Sequence, residues 1–209
     1  MGNNIKGILF YGFGGHARSI ADVALSSGIE SLIFVDDNAQ PGESFAGFPV
    51  LKTLPNSLAP NWIAFPASGN GVKRSQQLED IRNRGWSTGN IIAHTATVGV
   101  NSRISQGCFL GNHTHIGPNT LIGDGCIINT GAIVEHDCII GNYSHLAVNC
   151  TIAGKSAIGC NCFIGAGSTI IDGICVGDDI TLGAGGVIAR DTLHSGIYVG
   201  IPARLLREG

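Results

Sequence analysis

A repeat of six residues runs through the second half of the chain and restricts its fold more than any other feature. From Val98 to Ile188 every sixth residue is a branched aliphatic residue, and the phase never slips. The residue after each aliphatic is usually small or turn-forming, and the residue two places before it is mostly small. A period of six fits neither an α-helix, which repeats every 3.6 residues, nor a long strand, which alternates every two. The repeat therefore predicts short strands joined by tight corners.

Stacking such units produces a β-solenoid. Within each hexad the small and the aliphatic residue are two apart, so both side chains point to the same face of a short strand. Successive coils then bury a continuous aliphatic column and satisfy each other's backbone groups. We expect most of the seven cysteines to be structural, because a free thiol in the small inward position acts as a small hydrophobic group. The cysteines in that position are Cys108, Cys126, Cys138, Cys150 and Cys162.

Residues 1–90 lack the repeat and alternate between strand-like and helix-like patterns. The runs "GILFYG" and "SLIFVDD" predict buried strands, and residues 17–26 between them carry apolar residues at helical spacing. The run "NWIAFPASGN" predicts a further strand, and "GVKRSQQLEDIRNRG" predicts a second helix that ends at Gly85. Residues 38–60 contain Pro and Gly and are expected to form connecting loops. This order indicates a small parallel α/β domain over residues 1–90, followed by the solenoid domain over 91–209.

The first predicted strand runs into a glycine-rich turn that fits a phosphate-binding fingerprint. The sequence "GFGGHA" satisfies G-x-G-x-x-[GA] through Gly12, Gly14 and Ala17, and Asp36 ends the next strand. Bare glycine backbone at a helix N-terminus admits an anion, because free N–H groups and the helix dipole favour negative charge. The pattern fits a nicotinamide dinucleotide, a nucleotide-diphosphate sugar, or a tight turn without a ligand. A dehydrogenase would need a substrate domain, whereas the rest of this chain is solenoid.

Composition narrows the classes of partner. The net charge is −3, the sequence pI is about 6.1 and aromatic residues make up 6% of the chain. Such a chain offers neither a basic field nor a stacking platform, so we expect no nucleic-acid partner. The apolar run near the start is too short for a secretory segment or a membrane span, which favours a cytoplasmic protein with reduced cysteines. We also expect no metal site, because the pair His113 and His115 lacks a third ligand.

One charged cluster interrupts a chain that has only 13% charged residues: Glu135, His136 and Asp137 are consecutive. His136 lies two residues after the inward Val134, so its imidazole is expected to point outward. An adjacent carboxylate, from Glu135 or Asp137, can fix the imidazole tautomer and raise its basicity. Histidine is the natural general base near neutral pH. The cluster therefore indicates a supported base on the outside of a coil.

Both halves of the chain together resemble a known family. The unbroken [VIL]-G-x-x-x-x hexads and the closing "YVGIPARLLREG" are similar to the left-handed parallel β-helix of the hexapeptide-repeat acyltransferases. The motifs "YGFGGHA", "FVDD", "SGN", "NT" and "EHD" resemble those of bacterial sugar acetyltransferases related to sialic-acid O-acetyltransferases. Within that family they are most similar to the N-acetyltransferases of nucleotide-linked 4-amino-4,6-dideoxysugars, such as those for bacillosamine and perosamine. The resemblance covers nearly the whole chain.

The resemblance implies a fold, an activity and an assembly. An α/β Rossmann-like N-terminal domain would hold the nucleotide sugar, and an all-β left-handed parallel β-helix of about five coils would bind acetyl-CoA. The enzyme would transfer the acetyl group directly to the 4-amino group of a UDP-, dTDP- or GDP-linked sugar, for surface glycan or glycoprotein synthesis. Its functional unit would be a homotrimer with active sites between subunits. Uracil, thymine and guanine binders of the family share this outline.

The resemblance also implies roles for individual residues. His136 is the expected general base and Asp137 the acid that assists it. The expected substrate-binding residues are Gly14, Gly15, His16, Asp36, Asp37, Gly69 and Asn129, the last of which would orient the acceptor amine. The expected acetyl-CoA-binding residues are His145, Gly154, Ala166 and Ala184, with His145 near the thioester.

Two alternative functions remain open at this point. The protein could be an O-acetyltransferase acting on sialic acid or a related sugar, in which case a nucleotide pocket would have no purpose. It could instead be a non-catalytic solenoid that binds a nucleotide sugar as a regulatory or assembly module, because a fold does not by itself imply an activity.

Overall fold

Short apolar runs build a five-stranded sheet in the N-terminal domain of the structure, a computed structural model that describes residues 5–208. Its strands are β1 (Gly7–Tyr11), β2 (Ser31–Val35), β3 (Ser44–Phe45), β4 (Phe48–Leu51) and β5 (Trp62–Pro66). The strand order is β3-β4-β2-β1-β5, and every neighbouring pair is parallel except β3 and β4. Residues 1–4, within the predicted first domain, and Gly209, the predicted end of the second, lie outside the described residues.

Two helices cover opposite faces of this sheet. Helix α1 (Gly15–Ser26) buries Ala17 and Ile20 in the same core as Phe10. Helix α2 (Gly71–Asn83) packs Ile81 against the other side of β1. The side chain of Asn70 caps α2 by accepting a hydrogen bond from the backbone of residue 73 at 2.9 Å. No helix within the described part of the chain has the length and apolar character that a membrane span requires.

The segment from residue 38 to residue 60, predicted to be loops, contains a short hairpin. β3 and β4 pair antiparallel, and Ala46 and Gly47 at their turn have φ values of 51° and 83°. β4 also pairs with β2 and buries Val50, so the hairpin extends the sheet. The loop prediction is wrong for residues 44–51, because Gly47 lies at the turn of the hairpin and Pro49 lies within β4, so neither residue replaces a strand.

The hexads form a three-sided parallel β-helix whose strands pair with the next coil in a register of 18 residues. Face 1 comprises Ile91–Ile92, Phe109–Leu110, Ile127–Ile128, His145–Leu146, Phe163–Ile164 and Ile180–Leu182, and the hairpin Gly196–Gly200 and Ala203–Glu208 continues it. Face 2 comprises Thr97–Val98, His115–Ile116, Ile133–Val134, Thr151–Ile152, Thr169–Ile170 and Val187–Ile188. Face 3 comprises Arg103–Ile104, Leu121–Ile122, Ile139–Ile140, Ala157–Ile158 and Cys175–Val176. The predicted α/β domain followed by a parallel β-helix is confirmed.

The β-helix begins one hexad earlier than the pattern read from Val98. Ile91–Ile92 already pairs with Phe109–Leu110, and Ile92 extends the aliphatic column. Face 2 has six strands, so the stack approaches six coils where about five were expected. The additional strand lies where the two domains meet.

The corners turn at a different hexad position from the one expected. Left-handed φ values occur two residues beyond the small residue that follows each aliphatic, as at Asn119 and Asp137, both with φ of 59°. The position after each aliphatic residue is small for a different reason, which Gly117 illustrates. A Cβ on Gly117 would lie 2.5 Å from the backbone nitrogen of His136 in the next coil. Close stacking of the coils, and not a special φ value, therefore excludes side chains at this position.

The interior of the β-helix is the predicted column of aliphatic and small residues. The inward cysteines are confirmed as core residues, since all are 2% exposed or less. The α/β domain docks on face 1, where the outward side chains of Ile91, Phe109 and Ile127 share a core with Ile20 of α1. Docking therefore buries both sides of face 1 at these three residues, whereas Phe163 further along the face is 40% exposed. Faces 2 and 3 keep one side uncovered.

We expect Leu110→Ala to lower the free energy of unfolding by about 2–5 kcal/mol, because Leu110 is 0% exposed and its loss leaves a cavity in a stacked core. Leu206→Ala is the matched control, since Leu206 is 66% exposed and its truncation should cost less than about 0.5 kcal/mol. Urea unfolding followed by circular dichroism measures both values. Equal losses in the two variants would contradict the assigned inward phase.

Candidate active site

The corner between faces 2 and 3 carries the charged cluster. Val134 ends its strand facing inward, and the left-handed φ of Asp137 turns the chain into face 3. The side chain of His136 is 48% exposed, so its imidazole points outward as expected. Its Nδ1 lies 2.8 Å from Oδ2 of Asp137. Asp137, and not Glu135, is thus the carboxylate that supports the imidazole.

Asp137 is itself held by the coil below. Its Oδ1 accepts a hydrogen bond from Nδ2 of Asn119 at 3.1 Å, and Oδ1 of Asn119 accepts one from Asn101 at 3.3 Å. The hydrogen bond to His136, followed by that to Asn119, holds the pKa of Asp137 below its ordinary value. Because Nδ1 of His136 donates to this carboxylate, Nε2 is left with the free lone pair that a general base needs.

Gly154 keeps the space around this nitrogen clear. It occupies the corresponding corner position of the next coil, and its backbone is fully packed. A Cβ on Gly154 would lie 2.6 Å from Nε2 of His136, so any side chain there would displace the imidazole. The predicted pair of His136 and Gly154 is therefore in direct contact.

A second group of predicted residues meets where the α/β domain docks on face 1. The ring centroids of His145 and His16 are 5.7 Å apart, and that of Phe163 lies 5.1 Å from His145. Nδ2 of Asn129, one coil away, lies 3.4 Å from Nε2 of His145. A Cβ on Gly69 would come within 4.0 Å of His16, which places the "SGN" loop beside the same rings. The structure thus gathers His16, Gly69, Asn129 and His145 at one site.

Both histidines in this group are uncharged near neutral pH. Burial, followed by His145 and Arg74, lowers the pKa of His16 to about 3. Burial, followed by Arg74, lowers the pKa of His145 to about 4, although the backbone of Gly69 opposes the shift. Within residues 5–208, Nε2 of His16 and Nδ1 of His145 are buried without a hydrogen-bond partner. Each is therefore an unsatisfied polar atom at this site.

Arg74 is a residue of the site that the sequence pattern did not reveal. It lies on α2, is 1% exposed, and donates hydrogen bonds to backbone oxygens of both domains. Gln77, one turn later, joins the loops after β1 and β5 through Tyr11 and Ser68. Both lie in a segment that reads as a polar surface helix, so no sequence signal marked them as buried.

The predicted nucleoside residues line a crevice of about 570 Å³ beyond the carboxyl ends of β1 and β2. Asp36 and Asp37 line this crevice together with Lys52 and Lys73. Oδ2 of Asp36 accepts a hydrogen bond from the backbone of Phe13 at 3.0 Å, so Asp36 also fixes the glycine-rich turn. Burial opposes ionisation of Asp36, but the backbone N–H groups of residues 38 and 13 bring its pKa below the ordinary value.

The glycine-rich turn leads into the N-terminus of α1. Gly14 is the N-cap and supplies no side chain to satisfy the first N–H groups of the helix. A Cβ on Gly14 or Gly15 would meet no protein atom within 4 Å, so open space lies over both residues. Gly15 also borders a separate cleft of about 560 Å³ between α1 and face 1. The turn therefore offers exposed N–H groups to an anion, as the fingerprint indicates.

Ala166 and Ala184 lie away from both groups. They are exposed and occupy the corner between faces 1 and 2, one coil apart. Gly154, the third small residue predicted to contact acetyl-CoA, lies in the corner between faces 2 and 3. One chain therefore does not bring the predicted acetyl-CoA residues together.

The two halves of the predicted site lie on opposite sides of the β-helix. His136 and Asp137 lie at the corner between faces 2 and 3, whereas His16, Asn129 and His145 lie on or beside face 1. In a three-sided solenoid the corner between two faces lies opposite the third. The two groups of predicted residues therefore do not meet within one chain.

No metal centre is found in the described part of the chain, where no group of three or more His, Cys, Asp or Glu side chains could hold an ion. Of the histidine pair weighed as ligands, His113 is exposed, and Nδ1 of His115 lies 2.8 Å from Oγ1 of Thr97.

Comparison with known families matches both parts of the chain. Residues 7–81 match the PglD N-terminal domain. Residues 101–135 and 119–154 match the bacterial transferase hexapeptide of six repeats, and residues 157–190 match the hexapeptide repeat of succinyl-transferase.

Solved structures extend the likeness to the whole chain. The acetyltransferase domain of PglB from Neisseria gonorrhoeae FA1090, solved in complex with acetyl coenzyme A, is 31% identical with a TM-score of 0.91, covering 96% of this chain and 99% of that one. The chain belongs to the hexapeptide-repeat sugar acetyltransferases. Another member, PerB from Caulobacter crescentus in complex with CoA and GDP-perosamine, is 31% identical over 96% of this chain and 97% of that one, with a TM-score of 0.85. WeeI from Acinetobacter baumannii AYE shares the fold at 24% identity and a TM-score of 0.82.

We expect the stability of this acetyltransferase to fall as the pH is lowered from about 6.5 towards 4. In that window the unfolded chain protonates His16 and His145 while the folded chain does not, so each contributes a loss of about 1.4 kcal/mol per pH unit. Urea unfolding at pH 7, 6 and 5 measures this slope, and His145→Gln should reduce it. His113→Gln, at an exposed corner, is the matched control. A slope that His145→Gln leaves unchanged would show that His145 is charged in the folded protein.

Proposed function

We propose that this protein transfers the acetyl group of acetyl-CoA to the 4-amino group of a nucleotide-linked 4-amino-4,6-dideoxysugar, for bacterial surface glycan or glycoprotein synthesis. The observation that carries the proposal is the imidazole of His136, held by Asp137 with Nε2 free, in a chain that aligns end to end with a perosamine N-acetyltransferase. PerB was solved with CoA and GDP-perosamine, and the PglB domain with acetyl coenzyme A.

In the proposed reaction the sugar amine attacks the thioester carbonyl directly. The amine enters in its neutral form, because an ammonium group has no lone pair for the attack. As the C–N bond forms, Nε2 of His136 takes one proton from the nitrogen, which has become positively charged. Asp137 stabilises the imidazolium and keeps its Nδ1–H in place. The C–S bond then breaks, and the imidazolium returns the proton to the sulfur of CoA. No side chain of the protein acts as a nucleophile, and the proton that leaves the amine ends on the sulfur of CoA.

The α/β domain is the proposed holder of the nucleotide sugar. The crevice that contains Asp36 and Asp37 would take the nucleoside, and Lys52 and Lys73 at its rim would offset the diphosphate charge. The bare N-terminus of α1 at Gly14 and Gly15 offers N–H groups to the same diphosphate. His16 and Gly69 would then contact the sugar, and Asn129 its acceptor amine.

Acetyl-CoA is proposed to lie between two β-helices. His145 of one subunit would hydrogen-bond the thioester region, and Gly154 would lie beside the base, where any side chain would displace the imidazole. Ala166 and Ala184 lie at another corner, so they can line the same groove only if the groove forms between subunits. The separation of His136 from face 1 supports the same arrangement, a homotrimer with its active sites between subunits.

The proposed base is tested by His136→Asn and Asp137→Asn. Acetyl transfer to UDP-, dTDP- and GDP-linked 4-amino sugars should fall by about 10²-fold or more for His136→Asn and by less for Asp137→Asn, since loss of the supporting carboxylate leaves the imidazole in place. Release of CoA, followed with a thiol reagent, measures the rate. Glu135→Gln is the matched control, because its side chain does not hold the imidazole. Persistence of wild-type transfer in His136→Asn would overturn the mechanism, and transfer only to a free sugar hydroxyl would favour the O-acetyltransferase alternative.

Shared sites are tested by mixing two inactive variants. His136→Asn and His145→Ala subunits, co-expressed with different affinity tags, should regain about a third of the wild-type activity, because every mixed trimer has one interface in three with both native residues. Tandem purification isolates the mixed assemblies, and light scattering gives their mass. A mixture as inactive as either variant alone would place both histidines of a site in one chain.

A further inference from the structure

Arg74 is a buried cation with no carboxylate partner. Its side chain is 1% exposed, and none of the carboxylates in residues 5–208 lies within ion-pair distance of it. Backbone oxygens take the place of a counter-ion: those of Ser68 and Gly69 at 2.8 and 3.0 Å, that of Gly125 at 2.5 Å, and that of Tyr143. A buried guanidinium is tolerated only with such complete hydrogen bonding.

Two of these oxygens, those of Gly69 and Tyr143, belong to residues on opposite walls of one cleft. The cleft, of about 310 Å³, is lined on one side by Gly69 and Gly71 of the α/β domain and on the other by Tyr143 and His145 of the β-helix. The guanidinium thus holds the loop after β5 to the corner that leads directly into the strand of His145. A planar fork with five donors can do this, whereas a single ammonium cannot reach the same set of oxygens in one geometry.

We propose that Arg74 is a positioning residue: it fixes His145 against the Gly69 loop so that the imidazole is presented to the thioester of acetyl-CoA. This role rests on the proposed function, in which His145 contacts the thioester. The charge of Arg74 also acts on His145. A guanidinium beside the cleft disfavours protonation of an imidazole there, which lowers the pKa of His145. The other groups that face His145 are His16 from α1, Asn129 from the adjacent coil, and Cys162 and Asp179 from the β-helix wall of the cleft.

Two variants of Arg74 distinguish the effect of its hydrogen-bond geometry from the effect of its positive charge. Arg74→Lys keeps the positive charge but loses the fork, so kcat/KM for acetyl-CoA should fall by about tenfold or more while the pKa of His145 stays low. Arg74→Gln removes the charge, so kcat/KM should fall and the pKa of His145 should also rise, by about half a unit or more. Arg82→Met is the matched control on the same helix, since Arg82 bonds Asp124 at the surface with its side chain 43% exposed. It should change neither quantity.

The pKa of His145 is measured by NMR titration of the imidazole C–H signals, assigned by comparison with His145→Gln, and thermal unfolding establishes that each variant folds. Wild-type kcat/KM in Arg74→Lys, or an unchanged pKa of His145 in Arg74→Gln, would overturn the proposal. Unfolding of both Arg74 variants would also overturn it, since the residue would then be structural alone. If the wild-type protein failed to acetylate any sugar, the proposed function would fall, whereas the titration would still report whether Arg74 controls His145.

Discussion

The stacking of coils in an 18-residue register is the constraint on which the rest of the structure depends. Each corner N–H donates to the next coil, as from Gly117 to Val134 at 2.7 Å and from Glu135 to Ile152 at 2.9 Å. Because this spacing is fixed, equivalent residues of neighbouring coils lie one above the other. Asn119 therefore lies under Asp137, and Gly154 comes against His136. The candidate base owes its supported and unobstructed position to a backbone ladder, and not to contacts that its own hexad could supply.

The second physical element is the docking of the α/β domain on face 1. The outward residues of the first three strands of this face, Ile91, Phe109 and Ile127, are apolar or aromatic, and they share a core with α1. At the edge of this apolar contact lie the polar groups that would be costly to bury alone: the guanidinium of Arg74 and the imidazoles of His16 and His145. Backbone oxygens satisfy the guanidinium, whereas the imidazoles keep unpartnered nitrogens. The protein thus has uncharged, desolvated imidazoles on one face and an exposed, carboxylate-bound imidazole at the opposite corner. The first kind is suited to hydrogen bonding, and the second is suited to accepting a proton.

Much of the fold was predictable because its periodicity is unbroken. The phase of Val134 and Ile140 predicted which residues face inward, and it placed His136 outside the coil, where the structure has it. The hairpin β3–β4 was missed because strands of two to four residues leave no period to detect. The burial of Arg74 and Gln77 was missed for a different reason. Arg74 bonds the β-helix packed against α2, and Gln77 bonds Tyr11 and Ser68 within the α/β domain, so contacts distant in sequence surround both side chains.

The sequence by itself determined the two-part fold, the inward column and the outward histidine–carboxylate cluster, because each depends on the spacing of residues within one hexad or one strand–helix unit. It left open which carboxylate supports His136, and only the tertiary structure decided for Asp137, since the turn at this residue brings its Oδ2 to the imidazole. The tertiary structure also decided that His136 and His145 lie on opposite sides of the chain. Nine residues apart in sequence, they are separated because each hexad turns a corner of a three-sided coil, and this geometry exists only when the coils have stacked.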